Sequence, residues 1–350
     1  MVKVLRYGCI GAGGIAEWKH LEGYSKLPGI ELTAICDPNL KSAQRLAEKY
    51  NIPNVFSDYN EMLEKLELDV VSVCTPNAFH APASIKAMRM GANVHCEKPV
   101  SLNHKEAMEM LAVRNETGKK FMVALNNRFT NEAFFIKKYA EEGHFGEIYH
   151  ASCGWRRRRG IPGKGGWFTN KSLSGGGPLI DLGVHFLDLT LFFMGYPKPY
   201  SVSGTTYSKF SDNKSRNGGS YGGSFEGIYD VEDLAAGFLK LSDNSSVSFE
   251  FSWASNIEKD YFYYELLGTM GGASFIDGKL KIYSEILDTC VKIEPDTNYT
   301  KQALNEFEHF INCVRNDEEP MASLEQAAEL MKVIDGVYKS SELKKEIIFE

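Results

Sequence analysis

The stretch Val4-Leu5-Arg6-Tyr7-Gly8-Cys9-Ile10-Gly11-Ala12-Gly13-Gly14-Ile15-Ala16 decides the fold. Its first seven residues form an apolar run of strand type, and glycines follow at once. They fall in the pattern G-x-G-x-x-A, with Gly11, Gly13 and Ala16 at the fixed places. Gly11 allows a tight turn, Gly13 lets the backbone approach a pyrophosphate, and Ala16 lets a helix pack closely on the strand. Gly14 and Ile15 open that helix, whose N-terminal N–H groups and positive dipole end suit phosphates. A bare glycine pattern also fits a turn that binds nothing. The strand before it and the helix after it make it a dinucleotide-binding signal.

The same alternation runs outward from this point. Apolar runs at residues 30–36, 70–74, 94–96 and 121–125 predict strands, with a shorter one at 55–56. Helical stretches separate them at 15–26, 40–50, 59–65, 82–90 and 105–117. Apolar strands spaced by helices imply a parallel sheet covered on both faces. The pattern changes after about residue 125. A helix at 132–142, a strand at 148–155 and a strong helix at 179–194 are expected. Strands at 235–241, 246–253, 261–267, 273–276 and 280–283 alternate partly, as in an antiparallel sheet with one open face. Helices at 301–315 and 324–339 close the chain, Ser323 and Gln326 fitting a capping box for the last. Residues 208–227 are rich in Ser and Gly and read as a long loop. The fold class is α/β: a dinucleotide-binding domain at 1–125 and an α+β domain with a large, mostly antiparallel open sheet at 126–350.

Three further motifs fall at strand ends of the first domain. Asp37 ends the second strand, where a carboxylate accepts hydrogen bonds from adenosine ribose hydroxyls and repels a 2′-phosphate. No Arg follows to hold that phosphate, and Lys41 is the nearby cation, so the sequence reads as NAD rather than NADP. Thr75-Pro76-Asn77, with His80 one turn later, lies at the carboxyl end of an internal strand, where open α/β sheets bind ligands. Thr75 and Asn77 equally suit a helix cap. Glu97-Lys98-Pro99 ends another strand and aims Lys98 at the crevice, although a Lys beside a Glu is usually a surface ion pair.

In the second domain, Gly175-Gly176-Gly177-Pro178 leads into Leu179-Ile180-Asp181-Leu182-Gly183-Val184-His185. Pro178 suits a first helical turn, and Asp181 and His185 stand four apart on one face. The helix is apolar nearly all round, so it should be buried and its polar pair must be satisfied. A carboxylate near an imidazole sets its tautomer and raises its proton affinity. A structural Asp–His bond in a core helix is the alternative. The ligand set of a zinc site is missing.

These pieces, in this order and over essentially the whole chain, resemble the Gfo/Idh/MocA family, the glucose–fructose oxidoreductase and inositol dehydrogenase relatives. Asn127-Arg128-Phe129 adds to the likeness. The resemblance implies a Rossmann domain followed by an α+β domain whose sheet makes homodimer or homotetramer contacts. It also implies hydride exchange with one carbon of a sugar, cyclitol or related polyol. Lys98 would then be the catalytic lysine, His185 the general acid/base, and Asp181 the carboxylate that orients it or binds a neighbouring hydroxyl. Arg128, Arg156 and Trp167 become candidate substrate or nicotinamide contacts, and Glu97 joins the cofactor-facing set. Residues 159–168 look like a subgroup acting on sugars or glycosides. Two other readings share these residues: a glycoside-cleaving enzyme that uses NAD transiently, and a non-catalytic NAD sensor.

Composition agrees with a small-molecule enzyme. The chain has 350 residues, so two domains are expected. A net charge of −7 argues against nucleic acid or an anionic membrane surface as the main partner. Seven widely spaced cysteines without a CxxC pair argue against a disulfide framework, and several sit in apolar runs as small hydrophobes. No uninterrupted apolar stretch reaches about 18 residues, and no signal-peptide pattern opens the chain, so a cytoplasmic location is expected.

Overall fold

The computed structural model describes residues 3–211, 227–299 and 305–349. Most of the loop expected at 208–227, and the start of the helix expected from 301, lie outside the described residues. The chain divides into two compact units, Met1–Leu125 with Leu304–Ala328, and Asn126–Ala303 with Glu329–Glu350.

The first unit holds a six-stranded parallel sheet, ordered β3-β2-β1-β4-β5-β6. The strands are β1 (Leu5–Ile10), β2 (Ile30–Cys36), β3 (Asn54–Phe56), β4 (Val70–Val73), β5 (Asn93–Cys96) and β6 (Phe121–Val123). β4 and most of β1 are buried on both faces, which is why their sequences are apolar without alternation. A π-helix, Ala16–Leu21, follows β1 and continues into α1 (Glu22–Ser25). Helices α2 (Leu40–Tyr50), α3 (Tyr59–Lys65), α4 (His80–Arg89) and α5 (His104–Thr117) link the other strands. The strand order reverses between β1 and β4. In doubly wound sheets ligands bind at the carboxyl ends of the strands at that point, and Gly11, Asp37, Thr75 and Lys98 all sit just past those ends.

The second unit holds a nine-stranded sheet, ordered β14-β13-β12-β11-β7-β10-β9-β8-β15. Its strands are β7 (Ile148–Arg156), β8 (Pro199–Tyr207), β9 (Leu234–Leu241), β10 (Ser246–Ser252), β11 (Tyr261–Gly268), β12 (Gly271–Ile276), β13 (Lys279–Ile286), β14 (Thr289–Ile293) and β15 (Ile347–Ile348). All neighbours pair antiparallel except β7 and β10. One face carries Ala151, Cys153, Val247, Phe249, Phe251, Leu239, Tyr264 and Leu266, all buried. Helices α6 (Asn131–Glu141), α7 (Lys171–Ser174) and α8 (Val184–Phe193) belong to this unit. The residues between α7 and α8 include a π-helical turn, Leu179–Gly183. The run Lys171–Phe193 is long and apolar enough to cross a membrane by length and composition, yet 89% of its apolar window is buried in the protein. Its burial makes it a core helix. Two helices, α9 (Glu306–Asn316) and α10 (Leu324–Leu343), precede β15. The Ser323 hydroxyl accepts from the Gln326 N–H, which caps α10.

Candidate active site

The glycine turn is shaped for close approach. Gly11 has φ +102°, and a Cβ there would lie 2.4 Å from the Cys74 carbonyl oxygen. Gly13 is exposed, and a Cβ on it would meet nothing within 4 Å, so open space lies over the turn. Asp37 ties the end of β2 to this turn: one carboxylate oxygen accepts from the Ala12 N–H at 2.8 Å, the other from the Asn39 N–H at 2.8 Å. Its remaining lone pairs can still accept ribose hydroxyls. The buried Thr75 hydroxyl, just past β4, has no hydrogen-bond partner among the described residues. An open glycine cradle, a half-exposed carboxylate at the end of β2 and an orphaned hydroxyl at the end of β4 fit a dinucleotide.

Behind the end of β5 lies a buried polar network that the sequence reading did not foresee. Glu97 accepts from the Lys98 backbone N–H at 3.1 Å through one oxygen. Its other oxygen meets His20 Nε2 at 3.1 Å and Lys19 Nζ at 3.7 Å. The second ring nitrogen of His20 takes the Ser72 hydroxyl at 2.9 Å. Lys19 also reaches Glu306 at 3.2 Å. Burial alone would raise the Glu97 pKa, but His20, Lys19 and Lys98 outweigh it and hold the carboxyl well below the usual range. The same two carboxylates outweigh burial at Lys19 and keep its pKa above the ordinary value. Glu97 therefore stays ionised and pins the backbone from which the Lys98 side chain starts.

His95 extends this network. Its Nδ1 lies 2.8 Å from the Tyr24 hydroxyl and its Nε2 3.4 Å from Glu306. Burial lowers its pKa to about 4, against the pull of Glu306. The unfolded imidazole titrates near 6.5, so between those values the unfolded chain binds more protons. The contribution of His95 is complete above pH 6.5 and is lost as the pH falls toward 4. By urea unfolding, the fall in stability from pH 7 to pH 5 is expected to be about 2 kcal/mol smaller in His95→Gln than in wild type. An unchanged slope in the variant would place the titration elsewhere.

In the second unit, residues 179–193 are buried except for two positions, Asp181 and His185. The helix therefore presents one polar face. Trp253, fully buried, donates its indole N–H to Asp181 Oδ2 at 3.0 Å and orients the carboxylate. The Trp155 ring lies 6.4 Å from the His185 ring, centroid to centroid. Glu232 fixes where this helix begins. It accepts from the N–H groups of Gly177 at 2.9 Å and Leu179 at 3.2 Å, and from the Tyr338 hydroxyl at 3.0 Å. Sequence patterning carries no signal for Glu232 or Trp253, because both are brought in by strand pairing far along the chain. Among the described residues no group of three or more His, Cys, Asp or Glu side chains is placed to hold a metal ion.

Several expected contacts have other duties. Arg128 is wholly buried and paired with Asp188, Nε to Oδ2 at 2.8 Å, with its guanidinium over the Phe192 ring. It holds the core of the second unit instead of meeting substrate. Arg156 points to the face of the sheet opposite Trp155, as successive strand residues must. There it pairs with Glu250 at 3.0 Å and covers the Tyr261 ring, so it is not on the His185 side. His80 is buried, with ring nitrogens 2.6 Å from the Pro99 carbonyl and 2.9 Å from the Thr75 carbonyl. It clips two strand-end loops together and does not face a cofactor. Glu97, for the reason above, also acts from beneath. Asn77 is buried, Pro76 is half-buried at the loop surface, and Trp167 stacks on Phe168 at 3.8 Å in the segment after β7.

Known proteins share both the sequence and the fold. Residues 5–125 match the model of the Gfo/Idh/MocA oxidoreductase family with its NAD-binding Rossmann fold, and residues 135–274 match the C-terminal domain of the same family. The chain is similar to a D-glucoside 3-dehydrogenase of Escherichia coli strain K12, 34% identical over 341 residues, covering 97% of this chain and 95% of the relative. It is similar to a levoglucosan dehydrogenase of Pseudarthrobacter phenanthrenivorans, 26% identical over 290 residues, covering 77% and 73%. A solved levoglucosan dehydrogenase in complex with NADH shares the fold, with a TM-score of 0.87 at 20% identity over 99% of this chain and 100% of that one. The fingerprint at Gly11, the two-sheet architecture and these matches agree, and the chain belongs to the Gfo/Idh/MocA family of oxidoreductases.

Proposed function

We propose that the protein is an NAD-dependent dehydrogenase that exchanges hydride with a secondary hydroxyl or keto carbon of a sugar, glycoside or cyclitol. The observation that carries this reading is the polar face of the buried helix, where only Asp181 and His185 escape full burial. Asp188 on the same helix is buried and paired with Arg128, whereas Asp181 and His185 stand on its one accessible face, and a function is the reason to keep a polar pair there. When bound, the nicotinamide supplies the hydride acceptor or donor. His185 takes the hydroxyl proton as the alcohol is oxidised, and Asp181, held by Trp253, steadies the imidazole or a neighbouring hydroxyl. The Lys98 ammonium, on its pinned backbone, is the first unit's candidate for stabilising oxyanion character as the hydroxyl is oxidised. Gly11, Gly13, Gly14, Ile15, Ala16, Asp37, Thr75, Pro76 and Asn77 form the dinucleotide cradle. The names of the two sugar-oxidising relatives support a carbohydrate substrate.

The test is a panel of free sugars, methyl glycosides and cyclitols with NAD and, in parallel, NADP, followed by absorbance of the reduced cofactor. Accumulation of NADH with at least one member, and a preference for NAD set by Asp37, is expected. Bond cleavage without net NADH would replace the dehydrogenase with a transient redox cycle. Neither reaction would leave the sensor reading.

We also propose that the open face of the second sheet joins two copies. By register, Phe238, Leu267, Ile276 and Tyr283 project from that face, and all four are exposed. Light scattering should give a mass above that of the 39.2 kDa chain, and Phe238→Asp should lower it. A wild-type monomer would refute the interface.

A further inference from the structure

The helix that carries His185 turns its next face to a second feature. Phe186 and Leu189 line an open-mouthed cavity of about 200 Å³, together with Trp155, Phe262, Tyr264 and Phe275. Strand register brings the aromatic residues to one face, since Trp155 pairs with Phe262 and Tyr264 with Phe275. Their rings stand 4.9 to 6.0 Å apart around the opening, Trp155–Phe262 at 5.8 Å and Phe262–Phe275 at 6.0 Å. Trp155, Phe262 and Phe275 keep part of their surface in contact with solvent. Trp155 is the shared wall: one side lines this cavity and its ring neighbours His185 at 6.4 Å.

The walls define the chemistry of an occupant. The volume suits one six-membered ring, since an apolar cavity of about 150 Å³ accepts benzene. The lining offers aromatic faces and edges and few hydrogen-bond partners, so a sugar ring there would lose hydroxyl hydration without return. The polar lining is Asn127, Thr130 and Glu132. The Thr130 hydroxyl is engaged in capping the Ala133 N–H, and Glu132 accepts from the Thr297 hydroxyl. The Glu132 carboxylate repels an anionic group and accepts from a neutral donor.

We propose that this cavity is an aglycone subsite, which takes a neutral aromatic ring attached to the sugar oxidised at His185. The inference rests on the carbohydrate reading above and narrows it to aryl glycosides. Initial rates of NADH formation with phenyl glucoside, 4-carboxyphenyl glucoside and methyl glucoside test it. Wild-type enzyme is expected to favour phenyl over methyl glucoside by about tenfold to a hundredfold in kcat/KM, mainly through KM. The carboxylate should abolish most of that advantage. In Phe275→Ala the phenyl-to-methyl ratio should fall to within about threefold of unity; because the readout is a ratio, a partly unfolded preparation does not alter it. Equal wild-type rates for the phenyl and methyl compounds, or a ratio unmoved in Phe275→Ala, would overturn the subsite. If neither glucoside is oxidised, the carbohydrate reading is judged separately by the wider panel of sugars and cyclitols. The cavity is then judged by melting temperature with NAD present: phenyl glucoside must raise it more than methyl glucoside in wild type and lose that excess in Phe275→Ala, and any other result overturns it.

Discussion

His185→Ala is expected to lower kcat by about 10²–10⁴-fold, the range that a positioned acid or base contributes. The argument begins with burial. From residue 179 to residue 193 the helix surrenders every side chain but Asp181 and His185 to the core. Both polar groups therefore share the one accessible face, and the Trp253 indole fixes Asp181 from behind. Removing the imidazole takes away the acceptor positioned for the departing hydroxyl proton. NAD affinity should change little, because the residues proposed to hold the dinucleotide all belong to the first unit. Asp181→Asn should cost less, since the amide keeps the volume and one acceptor but loses the charge. Steady-state kinetics with the best substrate of the panel, beside a titration of NAD binding by tryptophan fluorescence, separate the two effects. Turnover within threefold of wild type in His185→Ala would remove this residue from proton transfer. A parallel loss of NAD binding would mean that the substitution damaged more than the acid/base group.

Most strands of the first unit were legible because burial on both faces writes itself as an unbroken apolar run, as in Val70-Val71-Ser72-Val73. The second sheet was legible where its strands alternate. β8, with Pro199, Gly204 and several hydroxyl residues, carries a polar composition and was missed. β15 is two residues long and β14 is mostly exposed, so neither has a periodic signature. The parallel pairing of β7 with β10 comes from tertiary topology and leaves no local mark. At the site, motif residues were found but their orientations were not. Arg156 and Trp155 are neighbours in sequence and face opposite sides of the sheet. Glu97, His80 and Arg128 looked like ligand contacts and are buried supports. One signal was available: His20 stands four residues after Ala16, on the helix face that must pack against the sheet. A buried imidazole there requires partners, and they are Ser72 and Glu97.

The pair Arg128–Asp188 carries the largest expected effect on stability. Both side chains are out of contact with solvent, and the guanidinium makes two bonds to the carboxylate. Burial by itself would lower the Arg128 pKa, yet the attraction of Asp188 raises it above its ordinary value. The Tyr196 hydroxyl donates to Asp188 at 3.0 Å, and Phe192 lies beneath the guanidinium at 4.6 Å. Two buried charges in this setting are stable only together, because the desolvation of each is repaid by the other. Arg128→Met keeps the side-chain volume but takes the guanidinium from Asp188, leaving the Tyr196 hydroxyl beside a buried charge, and should cost about 3–5 kcal/mol. For a unit of this size each kcal/mol is worth about 2–4 °C, so the melting temperature should fall by about 10 °C. Arg128→Met with Asp188→Leu removes both charges, and an apolar pair of similar volume is often as stable as the ion pair it replaces. The double variant should therefore recover most of the loss, a coupling that a double-mutant cycle measures directly. If each single variant is as stable as wild type, the pair contributes nothing to the fold. If the double variant is as unstable as Arg128→Met, the loss comes from packing and not from an uncompensated charge. A stable double variant that still oxidises the panel substrate would also establish that Arg128 supports the second unit without touching the reaction.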